Sequence, residues 1–97
     1  MQTIIQTNAG RQIVTNENPR DYLMESLSKK IEELGRDPLR LEITKDKSMP
    51  IMFSFVYYFK TFEDALNDTH LYMRRKEGIK TRAKIREKYL SYFSNKT

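Results

Sequence analysis

Three prolines, each placed where a helix can begin, divide this chain of 97 residues. Proline is tolerated in the first turn of a helix but breaks a helix interior, so Pro19, Pro38 and Pro50 are predicted helix starts. Asn18 and Asp37, which immediately precede the first two prolines, are residue types that cap helix N-termini. The prolines therefore predict a mainly helical chain in which short helices follow one another closely.

Apolar spacing supports these starts. After Pro19, apolar residues recur at helical intervals of three and four, and Gly35 is placed to end the helix: Tyr22, Leu23, Leu27, Ile31 and Leu34. A second short helix is predicted from Pro38, and a fourth after Thr61, which is expected to cap it. A third is predicted from Pro50 to Phe59; because residues 51–59 are apolar nearly all round, a buried strand is the alternative there. Gly78 is expected to break the chain before a fifth, basic helix.

The first residues predict a hairpin. Residues 3–7 and 11–15 are β-rich, and the three residues between them, Asn8-Ala9-Gly10, suit a turn with a glycine bulge. An isolated hairpin is only marginally stable in water, so its apolar side chains are expected to pack on the helices or on a second subunit: Ile4, Ile5, Ile13 and Val14. A disordered arm is the alternative.

The predicted fold is a small helix-turn-helix bundle of four to five helices with an N-terminal β-hairpin. Residues 1–17 would form the hairpin arm, residues 18–70 the helix-turn-helix core and residues 71–97 a basic C-terminal helix. A chain of 97 residues has room for one core only. Because that core is small, a homodimer is also predicted.

Positive charge is concentrated at one end of the chain. Residues 70–97 contain nine Lys or Arg against two Asp or Glu, a balance of +7, whereas the preceding residues carry −2. Such asymmetry favours a polyanionic partner, nucleic acid before an anionic membrane surface; the alternative is a helix whose charges are merely solvated. Apolar runs are too short to span a bilayer, so a soluble cytoplasmic protein is predicted.

Catalysis has little support in the sequence. The chain has no cysteine, and its three glycines, at positions 10, 35 and 78, are too scattered to build a phosphate loop. The single histidine, His70, follows Glu63, Asp64 and Asp68, which suggests a weak metal site at most; ordinary helix-surface residues are the simpler interpretation. We therefore expect no enzyme, no cofactor, no metal and no small-molecule substrate.

DNA binding is the leading functional prediction, because a helix-turn-helix precedes the basic end of the chain. Phosphate contacts are predicted at Arg74, Arg75, Lys76, Lys80, Arg82 and Lys84, flanking contacts at Lys45, Lys47 and Lys60, and groove contacts at Ser54, Tyr57 and Tyr58. In a competing interpretation Phe53, Val56 and Phe59 belong to the core, with Tyr57 and Tyr58 partly exposed.

Two other classes of partner are alternatives to duplex DNA. The aromatic segment 50–62 could instead be the surface of a protein-interaction module, for a second copy or for a partner such as a host factor that the chain inhibits. RNA or single-stranded DNA is a weaker possibility, because tyrosines stack on unpaired bases.

The segment from residue 23 to residue 70 resembles the homing-endonuclease-associated repeat, a helical module of phage and mobile-element proteins. The residues that carry the resemblance are Leu34-Gly35-Arg36-Asp37-Pro38, Glu42, Met49-Pro50, Phe59, Phe62 and Ala65-Leu66. The resemblance implies a DNA-binding helix-turn-helix that reads through the helix after Pro50, and no cleavage. A regulator of transcription or replication in a phage, plasmid or other mobile element is then expected. The family usually has a glycine where this chain has Lys60.

Overall fold

Two strands and four helices make up the described part of the chain. The computed structural model describes residues 2–94, with side chains for residues 2–79. The elements are β1 (Thr3–Gln6), β2 (Gln12–Thr15), α1 (Pro19–Leu34), α2 (Arg40–Lys45), α3 (Met52–Phe59) and α4 (Phe62–Ser94). The predicted class, a small α-helical bundle with an N-terminal β-hairpin, is confirmed.

The hairpin is docked on the helical body of its own chain. β1 and β2 pair antiparallel from Thr3 opposite Thr15 to Gln6 opposite Gln12, and Gly10 has the positive φ of 79° that the turn needs. The other edge of β1 bonds to the segment before α3, because the Ile51 N–H donates to the Gln6 carbonyl at 2.9 Å. Ile5 is fully buried, whereas Ile4 and Val14 lie on the exposed outer face. Docking onto the helices is thus the arrangement found.

Helix α1 begins and ends where its sequence predicts. The Asn18 side chain accepts a hydrogen bond from the Arg20 N–H at 2.9 Å. Gly35 adopts a left-handed φ of 70°, and its N–H donates to the Ile31 carbonyl at 2.8 Å. The predicted apolar face turns inward, with Leu23, Leu27 and Ile31 buried.

Helix α2 begins two residues later than predicted. Asp37 does not cap it. The N-cap residue is Leu39, and its N–H donates to the carboxylate of Glu42, three residues on, at 2.9 Å. The same carboxylate takes both guanidinium arms of Arg36 at 2.7 Å, so the turn before α2 is held by a two-point ion pair. The pKa of Glu42 is lowered to about 2, first by the pair with Arg36 and second by the hydrogen bond from Leu39.

Every element except β2 contributes to one core, and the rotation of α3 decides which aromatic residues enter it. The buried cluster consists of Ile5, Leu23, Leu27, Ile43, Met49, Phe55, Phe59, Phe62 and Ala65. Phe59 is buried as predicted, but Phe53 and Val56 are exposed and Phe55 occupies the interior instead. The competing interpretation was therefore wrong about Phe53 and Val56. The hydrogen bond between Ile51 and β1 holds the start of α3 and thereby orients the helix.

The predicted fourth and fifth helices form one continuous helix, α4, of 33 residues. The Thr61 hydroxyl caps its start by accepting from the Asp64 N–H at 3.0 Å, as predicted. The predicted break at Gly78 is wrong: a glycine inside a helix costs only about 1 kcal/mol relative to alanine, and the preceding Arg74–Glu77 are good helix formers. The expected boundary at residues 70/71 also falls inside α4. Within residues 2–94, no helix is both long and apolar enough to cross a bilayer.

Candidate nucleic-acid interface

Helices α2 and α3, joined by residues 46–51, form the segment predicted as the helix-turn-helix, and the hairpin turn contacts the connection between them. The Asn8 side-chain amide donates to the carbonyl oxygens of Ile43 at 2.6 Å and Asp46 at 2.8 Å. Each carbonyl also accepts from a backbone N–H at 3.2 Å, Ile43 from Asp46 and Asp46 from Met49, so the Asn8 amide adds a second hydrogen bond to each. The Asn8 N–H also donates to the Met49 carbonyl at 3.0 Å, so one turn residue joins the end of α2 to the approach to α3.

The same turn is held from the opposite side by a partly buried ion pair. The Lys30 ammonium lies 2.8 Å from the Asp46 carboxylate, and both side chains are mostly shielded from solvent. Asp46 also accepts from the Ser48 N–H at 2.9 Å and the Ser48 hydroxyl at 2.6 Å. Lys30 first, and Ser48 second, lower the pKa of Asp46 to about 2. The turn therefore depends on an ionised aspartate.

Acidification is expected to weaken this fold between pH 4 and pH 2. The pKa of Asp46 is about 2 in the folded chain against an ordinary 3.8, so its contribution is complete above pH 4 and is lost as the carboxylate becomes protonated. A shift of this size corresponds to at most about 2 kcal/mol of unfolding free energy. Urea titrations at pH 7 and pH 2.5 measure the loss, and Asp46→Asn is expected to reduce it. Glu32→Gln, which alters an exposed carboxylate of α1, is the control; an unchanged pH dependence in Asp46→Asn contradicts the assignment.

The structure separates the three predicted groove contacts on α3. Ser54 is buried, so it cannot reach a groove. Tyr58 is partly buried and packs against the core. Only Tyr57, which is 69% exposed, points away from the body of the protein.

The outward side of α3 is apolar and contains two residues that were not predicted as contacts. Phe53 is 68% exposed and Val56 41% exposed, and with Tyr57 they follow the spacing of one helical face. The Phe53 and Tyr57 rings lie with their centroids 6.0 Å apart. We call Phe53, Val56 and Tyr57 the aromatic face. The spacing of apolar residues in 51–59 could not show which side of α3 is exposed, because nearly every position there is apolar.

Lys60, directly after α3, has a strained backbone. Its φ of 75° and ψ of −48° form a conformation that glycine adopts easily and that costs another residue on the order of 1–3 kcal/mol. Among residues 2–94 it is the one non-glycine residue with positive φ. A lysine therefore occupies a backbone conformation that favours glycine.

Cations of the described side chains fall into two groups. One group is bound to carboxylates within 4 Å: Arg20, Lys30, Arg36, Arg40 and Lys76. The other group is exposed and forms no ion pair with residues 2–79. It contains Arg11, Lys29 and five cations predicted to contact DNA: Lys45, Lys47, Lys60, Arg74 and Arg75. Unpaired cations thus flank α3 and continue onto α4.

Lys76 differs from the other predicted phosphate contacts. Its ammonium is bound to the Glu25 carboxylate, which also accepts from the Tyr72 hydroxyl at 2.6 Å. Glu25 is the main cause that raises the pKa of Lys76, so this charge is compensated within the fold. The predicted contacts Lys80, Arg82 and Lys84 have side chains that lie outside the described residues.

Two of the three acidic residues considered with the single histidine, Glu63 and Asp68, pair with arginines. His70 Nε2 lies 2.6 Å from the Asp37 carboxylate. Glu63 pairs with Arg40, and Asp68 pairs with Arg20. In the part of the chain that the structure describes, no three His, Asp or Glu side chains come together as a possible metal site.

Comparisons with known proteins identify no relative of this chain. No protein-family model matches the chain, and no curated protein or solved structure is significantly similar to it. The resemblance to the homing-endonuclease-associated repeat therefore remains a prediction that rests on its motif residues.

Proposed function

We propose that this protein binds double-stranded DNA, with Lys45, Lys47, Lys60, Arg74 and Arg75 contacting phosphates. The observation that carries the proposal is that some cations are paired with carboxylates of the fold and others are not. Carboxylates of the fold compensate Arg20, Lys30, Arg36, Arg40 and Lys76, whereas these five remain exposed and form no ion pair with residues 2–79, as do Arg11 and Lys29. The five differ from Arg11 and Lys29 because they lie beside α3 or on α4. Unpaired cations beside a helix-turn-helix are suited to neutralise phosphates and release counterions. With the resemblance, this favours a regulator of transcription or replication in a mobile element.

The backbone of Lys60 supports the same surface. A glycine at this position would relieve the strain, so the lysine side chain is the reason to keep an unfavourable conformation. An ammonium directly after α3 lies where a phosphate beside the groove would be met. The proposal does not include Ser54, because it is buried, or Lys76, because Glu25 compensates its charge.

The salt dependence of binding tests this function. If these five cations each neutralise one phosphate, the logarithm of the affinity for a 30-base-pair duplex is expected to fall with the logarithm of salt concentration at a slope of about −4.5. The double variant Arg74→Ala and Arg75→Ala should reduce the magnitude of that slope by about 1.8. Lys29→Ala, which removes an exposed cation from α1, is the control and should leave the slope nearly unchanged. Absence of duplex binding at low salt, or a slope near zero, contradicts the proposal.

A second candidate is a protein-interaction module, and the exposure of the aromatic face favours it. Two aromatic side chains more than two-thirds exposed on one helix face are typical of a surface that another molecule covers. Under this alternative the protein would elute as a homodimer in size-exclusion chromatography. Phe53→Ala combined with Tyr57→Ala would convert it to a monomer. A monomeric wild-type protein contradicts the homodimer.

A further inference from the structure

Two cations that form no ion pair with residues 2–79 flank helix α3 in the sequence. Lys47 lies in the turn five residues before the helix, and Lys60 directly follows it. An α-helix with its side chains is about 10–12 Å across, and the DNA major groove, about 12 Å wide, admits one. With α3 in a groove and its outward side toward the base pairs, cations before and after the helix are available to phosphates at the groove edges.

That surface differs chemically from an ordinary DNA-reading helix. Phe53 and Val56 have no hydrogen-bonding group in their side chains, and Tyr57 has only its hydroxyl. The hydrogen-bond code of the bases is usually read by Arg, Lys, Asn or Gln, and no such residue occurs between Ile51 and Phe59. The one apolar group that base pairs present in the major groove is the C5-methyl group of thymine. An apolar face bounded by cations is complementary to that methyl group between two rows of phosphates.

We infer that the aromatic face selects DNA containing A·T pairs by packing Phe53, Val56 and Tyr57 against thymine methyl groups. The inference rests on the proposed function, since it requires a duplex bound through phosphates. Beyond duplex binding, it specifies that sequences with A·T pairs are preferred and that the thymine methyl group is the group contacted. Recognition then depends on apolar contact, and the lysines set position without reading sequence.

Removing only the methyl groups tests the inference. The probes are two 30-base-pair duplexes, one of alternating adenine and thymine and one in which uracil replaces every thymine. Burial of one methyl group corresponds to about a fourfold gain in affinity, so two contacts predict that the full-length protein binds the thymine duplex at least tenfold more tightly. A duplex of alternating guanine and 5-methylcytosine, compared with its unmethylated form, should show a gain in the same direction.

Variants separate this inference from the proposed function. Phe53→Ala combined with Tyr57→Ala alters exposed side chains only, and it should bind the thymine and uracil duplexes equally while keeping the salt dependence. Lys60→Ala is the complementary variant: it should weaken binding to both duplexes and preserve the thymine preference. Equal binding of the two duplexes by the wild-type protein overturns the inference and leaves duplex binding intact. Tighter binding to a single strand than to either duplex, or no duplex binding at all, overturns both.

Discussion

Replacing Phe55 by alanine is expected to lower the free energy of unfolding by about 3–5 kcal/mol. Phe55 is fully buried, and its ring meets the Phe62 ring edge to face at a centroid distance of 6.2 Å. The substitution leaves a cavity between α3 and α4, where the surrounding side chains come from several elements and cannot collapse freely. Urea denaturation followed by circular dichroism measures the change.

Phe53 is the matched control in the same helix. It is the same residue type two positions earlier, yet 68% of its surface is exposed, so Phe53→Ala is expected to change stability by about 0.5 kcal/mol or less. Should Phe55→Ala fail to fold, Phe55→Leu keeps most of the volume and should still cost more than Phe53→Ala. A larger loss in Phe53→Ala than in Phe55→Leu would mean that the other side of α3 faces the core.

Replacing Asn8 by alanine is expected to cost about 1–2 kcal/mol, an effect large for a turn residue. The substitution removes both hydrogen bonds from the side-chain amide and leaves the carbonyls of Ile43 and Asp46 without that donor in a partly buried setting. Because these carbonyls end α2, the loss should also loosen the helix-turn-helix. Thermal unfolding gives the stability change, and amide hydrogen exchange at residues 43–51 localises it.

Asn16→Ala supplies the comparison for Asn8. Asn16 is exposed in the bend after β2, and its side chain forms no hydrogen bond with residues 2–79, so the change should stay within about 0.5 kcal/mol. Equal effects of the two substitutions would show that the Asn8 amide does not hold α2.

Local chemistry explains which features were predictable. Asn18, Thr61 and Gly35 act on backbone groups within four residues, so their side chains or φ angles specify helix ends wherever the helix packs. Long-range partners explain the misses. Asp37 would suit a helix start, but its carboxylate lies 2.6 Å from His70, 33 residues away, and Glu42 caps α2 instead.

The candidate site was less predictable than the fold. Lysines and arginines could be counted from the sequence, but their ion pairs could not: Lys76 meets Glu25 across 51 residues, while Arg74 and Arg75 form no ion pair within residues 2–79. Ser54 and Tyr57 likewise have similar local surroundings, and only the rotation of α3 buries the first and exposes the second.

The sequence by itself determined the order of elements, the hairpin turn and most helix ends, because these depend on interactions between near neighbours along the chain. Tertiary structure alone decided the side of α3 that faces outward, the docking of the hairpin turn on α2 and the cations that stay unpaired. Each of these depends on groups brought together from distant positions. In an aromatic segment that is apolar on every side, no local pattern distinguishes the buried face from the exposed one.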